Sequence, residues 1–114
     1  MQPLSVVIIA KNEAHVIAQT LQSIQTLTDD ILVCDTGSTD ATIPVAKKNK
    51  ASVIELNWGG YGATKNEAND RAAYDWVLQL DADEVVDAEL LQSLAELTLE
   101  DENTVYFAVL KNYY

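Results

Sequence analysis

Asp81-Ala82-Asp83-Glu84 follows directly on the apolar run Trp76-Val77-Leu78-Gln79-Leu80 and sets two carboxylates two residues apart at the end of a predicted strand. Side chains alternate along an extended chain, so Asp81 and Asp83 are expected to lean to the same side of one sheet rim. Two neighbouring anions repel unless a cation joins them, and hard carboxylate oxygens suit Mg2+ or Mn2+. An ion held by one or two carboxylates keeps its other positions for water and phosphate oxygens. The local chemistry is that of a metal-bridged phosphate site. The competing reading is a solvated acidic turn before a helix that Asp87 opens.

A second group surrounds a glycine loop. Gly59-Gly60-Tyr61-Gly62-Ala63-Thr64-Lys65-Asn66 puts flexible backbone ahead of a helix expected from about Ala63, with Lys65 in its first turn. The free N–H groups and dipole of a helix start favour phosphate. The spacing is neither a P-loop nor GxGxxG, and a flexible loop with a surface lysine is the alternative. Trp58 and Tyr61 flank the glycines and could stack on a base or simply pack. Asp35, at the end of another predicted strand, could accept hydrogen bonds from a base N–H or a ribose hydroxyl. It could also close a turn onto the backbone of Gly37 or Ser38, and the two roles are compatible. Lys11-Asn12-Glu13 ends the first strand in the same way. Asp40 reads as a helix cap, His15 as a surface or boundary residue and Cys34 as core. One histidine, distant from any matching serine and aspartate, gives no Ser–His–Asp set.

The elements that position these residues alternate regularly. Strands are expected at Leu4 to Ala10, Asp30 to Asp35, Ser52 to Leu56, Trp76 to Leu80 and Thr104 to Leu110. Helices are expected at Glu13 to Gln25 (with Asn12 as cap and Ile17, Leu21 and Ile24 on one face), Ala41 to Asn49, Ala63 to Ala73, and from Asp87 with Leu90, Leu94 and Leu97 sharing a face. Such alternation calls for a parallel sheet with helices on both faces, an α/β, doubly wound, Rossmann-like layer. Ligands of open α/β sheets bind beyond the carboxyl ends of the strands, where all three polar groups fall. Lys111, after the last strand, could face the same rim.

With 114 residues there is room for one domain. The net charge of −11 argues against nucleic acid and against direct adsorption to anionic lipid. Half of the acids lie between Asp81 and Glu102, so most of that charge is expected on a solvated helix face and loop. A single Cys34 cannot form an intrachain disulfide and fits a reducing compartment. No stretch approaches the roughly 20 apolar residues of a membrane span, and the N-terminus lacks a signal-peptide pattern. A cytoplasmic location is expected. The sequence ends directly after a predicted strand and reads as the N-terminal portion of a longer chain.

Four motifs, in order, resemble the family 2 glycosyltransferases of the GT-A fold: Ser5-Val6-Val7-Ile8-Ile9-Ala10-Lys11-Asn12-Glu13, Val33-Cys34-Asp35-Thr36-Gly37-Ser38-Thr39-Asp40, Gly62-Ala63-Thr64-Lys65-Asn66 and Leu80-Asp81-Ala82-Asp83-Glu84. The branch most similar is the bacterial one that includes lipopolysaccharide-core β-glucosyltransferases. The resemblance covers essentially the whole chain and implies a nucleotide-diphospho-sugar donor, usually a UDP-sugar, with a divalent metal. By position, Asp35 would contact the uracil or ribose, and Ala10, Asn12 and Glu13 would help form the base pocket. Lys65 would face the nucleotide, Asp81 would approach the ribose or sugar, and Asp83 would ligate the metal. Family members invert the anomeric centre, and a glycan or glycolipid acceptor follows, with membrane association only through further segments of the full-length protein. Ile9 and Lys11 stand where many members have Pro and Tyr, and Thr36 replaces a second Asp common in the family. The family's general base lies downstream of its metal motif, beyond Tyr114 here. Residues 1–114 therefore read as a donor-binding domain that alone binds UDP and metal weakly and transfers little. The alternatives are a catalytically inactive nucleotide-binding fragment and a receiver-type signalling module. The receiver requires an acid pair where Ala10-Lys11-Asn12 stands and a phosphoacceptor where Leu56-Asn57-Trp58 stands.

Overall fold

Four consecutive β-branched residues, Val6 to Ile9, make β1 (Leu4–Ala10) a strand suited to burial on both faces, and all of it except Ile9 is buried. The structure, a computed structural model, describes residues 2–96. After β1 follow α1 (Ala14–Ile24), β2 (Asp30–Asp35), α2 (Thr42–Lys48), β3 (Ser52–Glu55), α3 (Tyr61–Asp70), β4 (Trp76–Asp81) and α4 (Ala88–Ala95). The strands form one sheet in the order β3-β2-β1-β4, and every neighbouring pair is parallel. The chain winds outward from β1 through β2 to β3, then crosses to the other side of β1 for β4. That reversal puts a topological switch point between β1 and β4, where loops part and leave a crevice.

The pleat sorts the core into two layers. Val6, Ile8 and Ala10 of β1, with Val33, Leu78 and Leu80, pack against Ile17, Leu21 and Ile24 of α1, Ala46 of α2 and Leu94 of α4. On the other face Val7, Leu32 and Cys34 meet Leu56 and Ala68 of α3. Ile17, Leu21 and Ile24 are fully buried, and each contributes about 1.5–3 kcal/mol of transfer free energy. The Rossmann-like layer with helices on both faces is therefore present as expected. The anticipated strand Thr104 to Leu110, Leu97 and Lys111 lie outside the described residues.

Three local expectations are corrected. Asn12 does not cap α1: it has φ 56°, and the N-cap position belongs to Glu13 without a side-chain bond of its own. The first N–H groups are satisfied from the neighbouring loop instead, Glu13 donating to Thr42 Oγ1 at 2.9 Å and Ala14 to Asp40 Oδ2 at 3.2 Å. α3 begins at Tyr61, because Gly60 at φ 93° reverses the chain immediately before it. Lys65 consequently sits in the second turn of α3, away from the free N–H groups. β4 ends at Asp81 and the chain turns at Ala82 and Asp83, so strand alternation does not place Asp83 beside Asp81.

Candidate functional site

The carboxyl ends of β1 and β2 are knitted together before any side chain is free to bind a ligand. Thr36 donates its N–H to the Ala10 carbonyl at 3.0 Å. Asn12 Oδ1 accepts from the N–H groups of Thr39 at 2.8 Å and Asp40 at 3.3 Å, and the Asn12 N–H donates to Ser38 Oγ at 2.8 Å. Asp40 also accepts from the Thr42 N–H at 2.9 Å and from the Thr42 hydroxyl. These bonds hold Asp40 below its ordinary pKa, the Thr42 hydroxyl being the largest cause. Asn12 thus works as a clasp between the β1–α1 and β2–α2 loops.

Asp35 is the unusual member of this rim. It is 1% exposed. Its Oδ1 accepts from Gly37 N–H at 2.9 Å and Ser38 N–H at 2.8 Å, a turn that Gly37 allows with φ 122°. Its Oδ2 is buried and has no partner. A buried acceptor left unmatched costs roughly 1–3 kcal/mol, so such an atom calls for a ligand or water donor.

Two cavities open beside it. One, of about 310 Å3, is lined by residues that include Asp35, Thr36, Glu55, Trp58, Glu67 and Arg71. The other, of about 380 Å3, is lined by Ile9, Ala10, Lys11, Glu13, Thr36 and Trp58. The sequence-predicted Asp35, Ala10 and Glu13 therefore come together around shared walls. Asn12 and Lys65 line neither cavity. Arg71 and Trp58 do, and sequence reasoning missed Arg71 altogether. A signal for it exists: Thr64 and Ala68 of α3 and Arg71, the residue that caps its C-terminus, fall at i, i+4, i+7, and the first two are buried. Arg71 lies 4.0 Å from Glu67 in an exposed i, i+4 pair. Behind this wall, burial pushes the Cys34 thiol up to about 11, Glu67 adding to the shift and Arg71 opposing it.

The acid turn lies across β1. Asp81 is in register with Ile9 and Asp35 with Ala10, so the two acids end strands on either side of β1, about 10 Å apart in backbone spacing and of opposite pleat. The turn is pinned by its backbone. Glu84 N–H donates to the Asp81 carbonyl and Asp81 N–H to Glu84 Oε1, both at 3.0 Å. Thr20 of α1 donates its hydroxyl to the Ala82 carbonyl at 2.6 Å, and Val86 N–H donates to Ser23 Oγ at 3.0 Å. Asp87 caps α4 by accepting from Leu90 N–H at 2.7 Å, as expected. Asp81 and Asp83 themselves are exposed. Burial raises the Glu84 carboxyl above its ordinary pKa; the Asp81 N–H bond opposes this, while the Asp81 side chain and the charges of Asp81 and Asp83 reinforce it. Glu84 Oε2 is buried without a partner.

Among the described residues no set of three or more His, Cys, Asp and Glu side chains could hold a metal ion by itself. The acid turn nevertheless supplies hard oxygens, one of them orphaned. That donor set fits a Mg2+ or Mn2+ ion whose shell is completed by water and a ligand's phosphates, and does not fit an all-protein cage. No described helix is long and apolar enough to cross a membrane.

Comparison with known proteins bears on these residues together. The profile of glycosyl transferase family 2 matches residues 5–114. An uncharacterised glycosyltransferase of Rickettsia prowazekii is 37% identical over 108 residues, covering 95% of this chain and 37% of that protein. The lipopolysaccharide core biosynthesis glycosyltransferase LpsC of Rhizobium meliloti is 29% identical over 121 residues, covering 98% of this chain and 43% of LpsC. The chain thus spans well under half the length of these relatives. Among solved structures, glucosyl-3-phosphoglycerate synthase of Mycobacterium tuberculosis, in complex with Mn2+, UDP and glucosyl-3-phosphoglycerate, superimposes with a TM-score of 0.64 at 28% identity over 71% of this chain and 33% of that one. The same enzyme with Mn2+, UDP-glucose and phosphoglyceric acid gives the same score.

Proposed function

From the premise that the chain belongs to glycosyl transferase family 2, we propose that residues 1–114 form the nucleotide-sugar-binding domain of an inverting hexosyltransferase that uses a UDP-sugar. The acceptor we propose is a cell-envelope glycan or the lipopolysaccharide core, and the setting is the cytoplasmic face of the inner membrane. LpsC's role in lipopolysaccharide core biosynthesis supports the acceptor class. UDP and UDP-glucose in the mycobacterial complexes support the donor. The greater length of the relatives supports placing acceptor binding and the general base outside residues 1–114. A receiver module lacks support at the end of β1, where Ala10 and Lys11 stand in place of an acid pair.

The observation that carries the reading is the buried Asp35 carboxylate, with one oxygen fixed by two N–H groups and the other unmatched beside a rim cavity. An acceptor-only group selects a base edge that donates. Uracil offers its N3–H there, whereas the ring nitrogen of cytosine offers a lone pair. Ala10 and Glu13 form the wall at the end of β1. Asp81 and Asp83, with Glu84 behind them, would hold the divalent cation on the donor's diphosphate. Bound there, that ion supplies neutralisation of the charge gathering on the departing UDP. A chain with net charge −11 needs such a counter-charge to accept a doubly anionic ligand. Lys65 and Asn12 are proposed to act from the margin, Lys65 by long-range attraction and Asn12 by clasping the two loops.

The test is a titration of UDP, UDP-glucose, GDP and ADP with and without Mn2+. The expected result is preference for the two uridine ligands and a gain with Mn2+. Equal binding of ADP, or no gain with the metal, would contradict the assignment.

A further inference from the structure

We propose that Thr20 and Ser23 of α1 form a two-point clamp that positions the acid turn for the divalent ion; this rests on the donor-site reading above. The buried residues of α1 are Ile17, Thr20, Leu21 and Ile24, and Thr20 alone among them is polar. A valine would fill the same space with comparable helix propensity and no hydroxyl to desolvate. Packing therefore gives no reason for threonine at this position. Hydroxyls inside helices commonly turn back onto a carbonyl of their own helix. Ser23 does so, donating to the Thr20 carbonyl at 2.6 Å. The Thr20 hydroxyl leaves its helix instead and donates to the carbonyl of Ala82, 62 residues away, at 2.6 Å.

The acid turn needs that donor. Pairing of β4 with β1 ends at Asp81 opposite Ile9, so Ala82 lies one residue past the ladder, and it is buried. A buried carbonyl there must find a donor outside the sheet. Val86 is buried as well, and its N–H donates to Ser23 Oγ at 3.0 Å. The Ser23 hydroxyl thus accepts from Val86 while donating to Thr20, which fixes its orientation. One turn of α1 grips the chain at Ala82 and again at Val86, and Asp83, Glu84 and Val85 bridge the two anchors. Asp81 and Asp83 are exposed on either side of the buried Ala82, so drawing Ala82 inwards holds both carboxylates towards solvent from a fixed backbone. Metal affinity depends on the groups that orient the ligands as well as on the ligands. Thr20 and Ser23 act through the backbone and are positioning residues.

The experiment measures UDP binding in Mn2+ and in EDTA, with urea midpoints, for the parent chain, Thr20→Val, Thr20→Ser and Ser23→Ala. Thr20→Val and Ser23→Ala are each expected to cut the Mn2+-dependent gain in UDP affinity by about 10-fold, the lower end of what losing a supporting contact costs a metal site. Binding in EDTA stays at the parent's level. Thr20→Ser keeps the hydroxyl but loses a buried methyl, so its urea midpoint falls while most of the gain survives. Ser23 is only partly buried, so Ser23→Ala decides the matter where Thr20→Val disturbs folding. Without metal, the Val86 amide should exchange its hydrogen faster in Ser23→Ala than in the parent. If Thr20→Val and Ser23→Ala keep the parent's Mn2+ gain, the clamp is overturned and the donor site stands. A gain that merely follows the urea midpoint across the variants, or equal losses in Mn2+ and EDTA, also overturns the clamp. A parent with no Mn2+-dependent gain overturns both readings.

Discussion

The two halves of the carboxyl rim are built on opposite plans. At the ends of β1 and β2 the side chains spend their hydrogen bonds on backbone N–H groups of the neighbouring loops: Asn12 accepts from the β2–α2 loop, Asp40 and Thr42 accept from the start of α1, and Asp35 is sunk to 1% exposure. At the end of β4 the backbone is what is tethered, by Thr20, Ser23 and Glu84, while the carboxylates of Asp81 and Asp83 stand in solvent. The first half is a shape formed in advance, suited to one planar group. The second is a pair of exposed charges on a fixed mount, which in the proposed function would be completed by a cation and an anionic ligand together. Under the proposed function, recognition and charge neutralisation would be separated across a single strand, and each could be removed without the other.

Asp83→Ala attacks the charged half and is expected to have the largest effect. It should abolish the Mn2+-dependent gain in UDP affinity, a loss at least as large as the roughly 10- to 100-fold caused by removing even a supporting metal contact. Metal-free binding should stay at the parent's level, and calorimetry in Mn2+ and in EDTA separates the two. Asp35→Asn attacks the preformed half. The amide oxygen can keep the Gly37 and Ser38 bonds, but its NH2 then replaces the unmatched acceptor. UDP should weaken by about 10- to 100-fold, the equivalent of a hydrogen bond to a charged group, while the response to Mn2+ persists.

Thr20→Val tests whether the acid turn depends on its mount. Loss of the hydroxyl strands the Ala82 carbonyl in a buried place, costing about 1–3 kcal/mol in urea unfolding. The Mn2+-dependent part of binding should decline with it, and the metal-free part should not. The smallest effect concerns Cys34 behind the preformed half. Burial pushes its thiol up to about 11, above the ordinary thiol value of 9.0. Between those values the unfolded chain has lost its proton and the folded chain has kept it, so stability falls as pH rises through that window. The urea midpoint should drop on going from pH 8.5 towards 11, less so in Cys34→Ala. The native thiol should resist iodoacetamide at pH 8.

Legibility in the sequence follows the same division. Strands and helices with strong periodicity were readable to within a few residues, because Val6 to Ile9 and the Ile17, Leu21, Ile24 face are dictated by burial that repeats locally. The Asp87 cap was readable for a similar reason, since its acceptor lies three residues away. Local spacing favours a cap at Asn12, whereas its actual partners, Thr39 and Asp40, are distant in sequence. Asp83 was placed by strand alternation, which stops where Glu84 folds back onto Asp81. Lys65 lost its first-turn position when Gly60 took a positive φ and started α3 two residues early. Arg71 carries no motif, and only the buried Thr64 and Ala68 reveal the face on which it lies.

The central claim is that one ligand spans both halves, base at the β1–β2–β3 end and diphosphate at the acid turn through a divalent ion. NMR of the labelled chain with UDP and substoichiometric Mn2+ tests this most directly, because the paramagnetic ion broadens the amides nearest to it. The expected result is broadening centred on Asp81 to Glu84, with UDP-induced shifts in the presence of Mg2+ at Asp35, Gly37 and Trp58. Broadening centred elsewhere, or UDP shifts that leave Asp35 and its neighbours unmoved, would contradict the account.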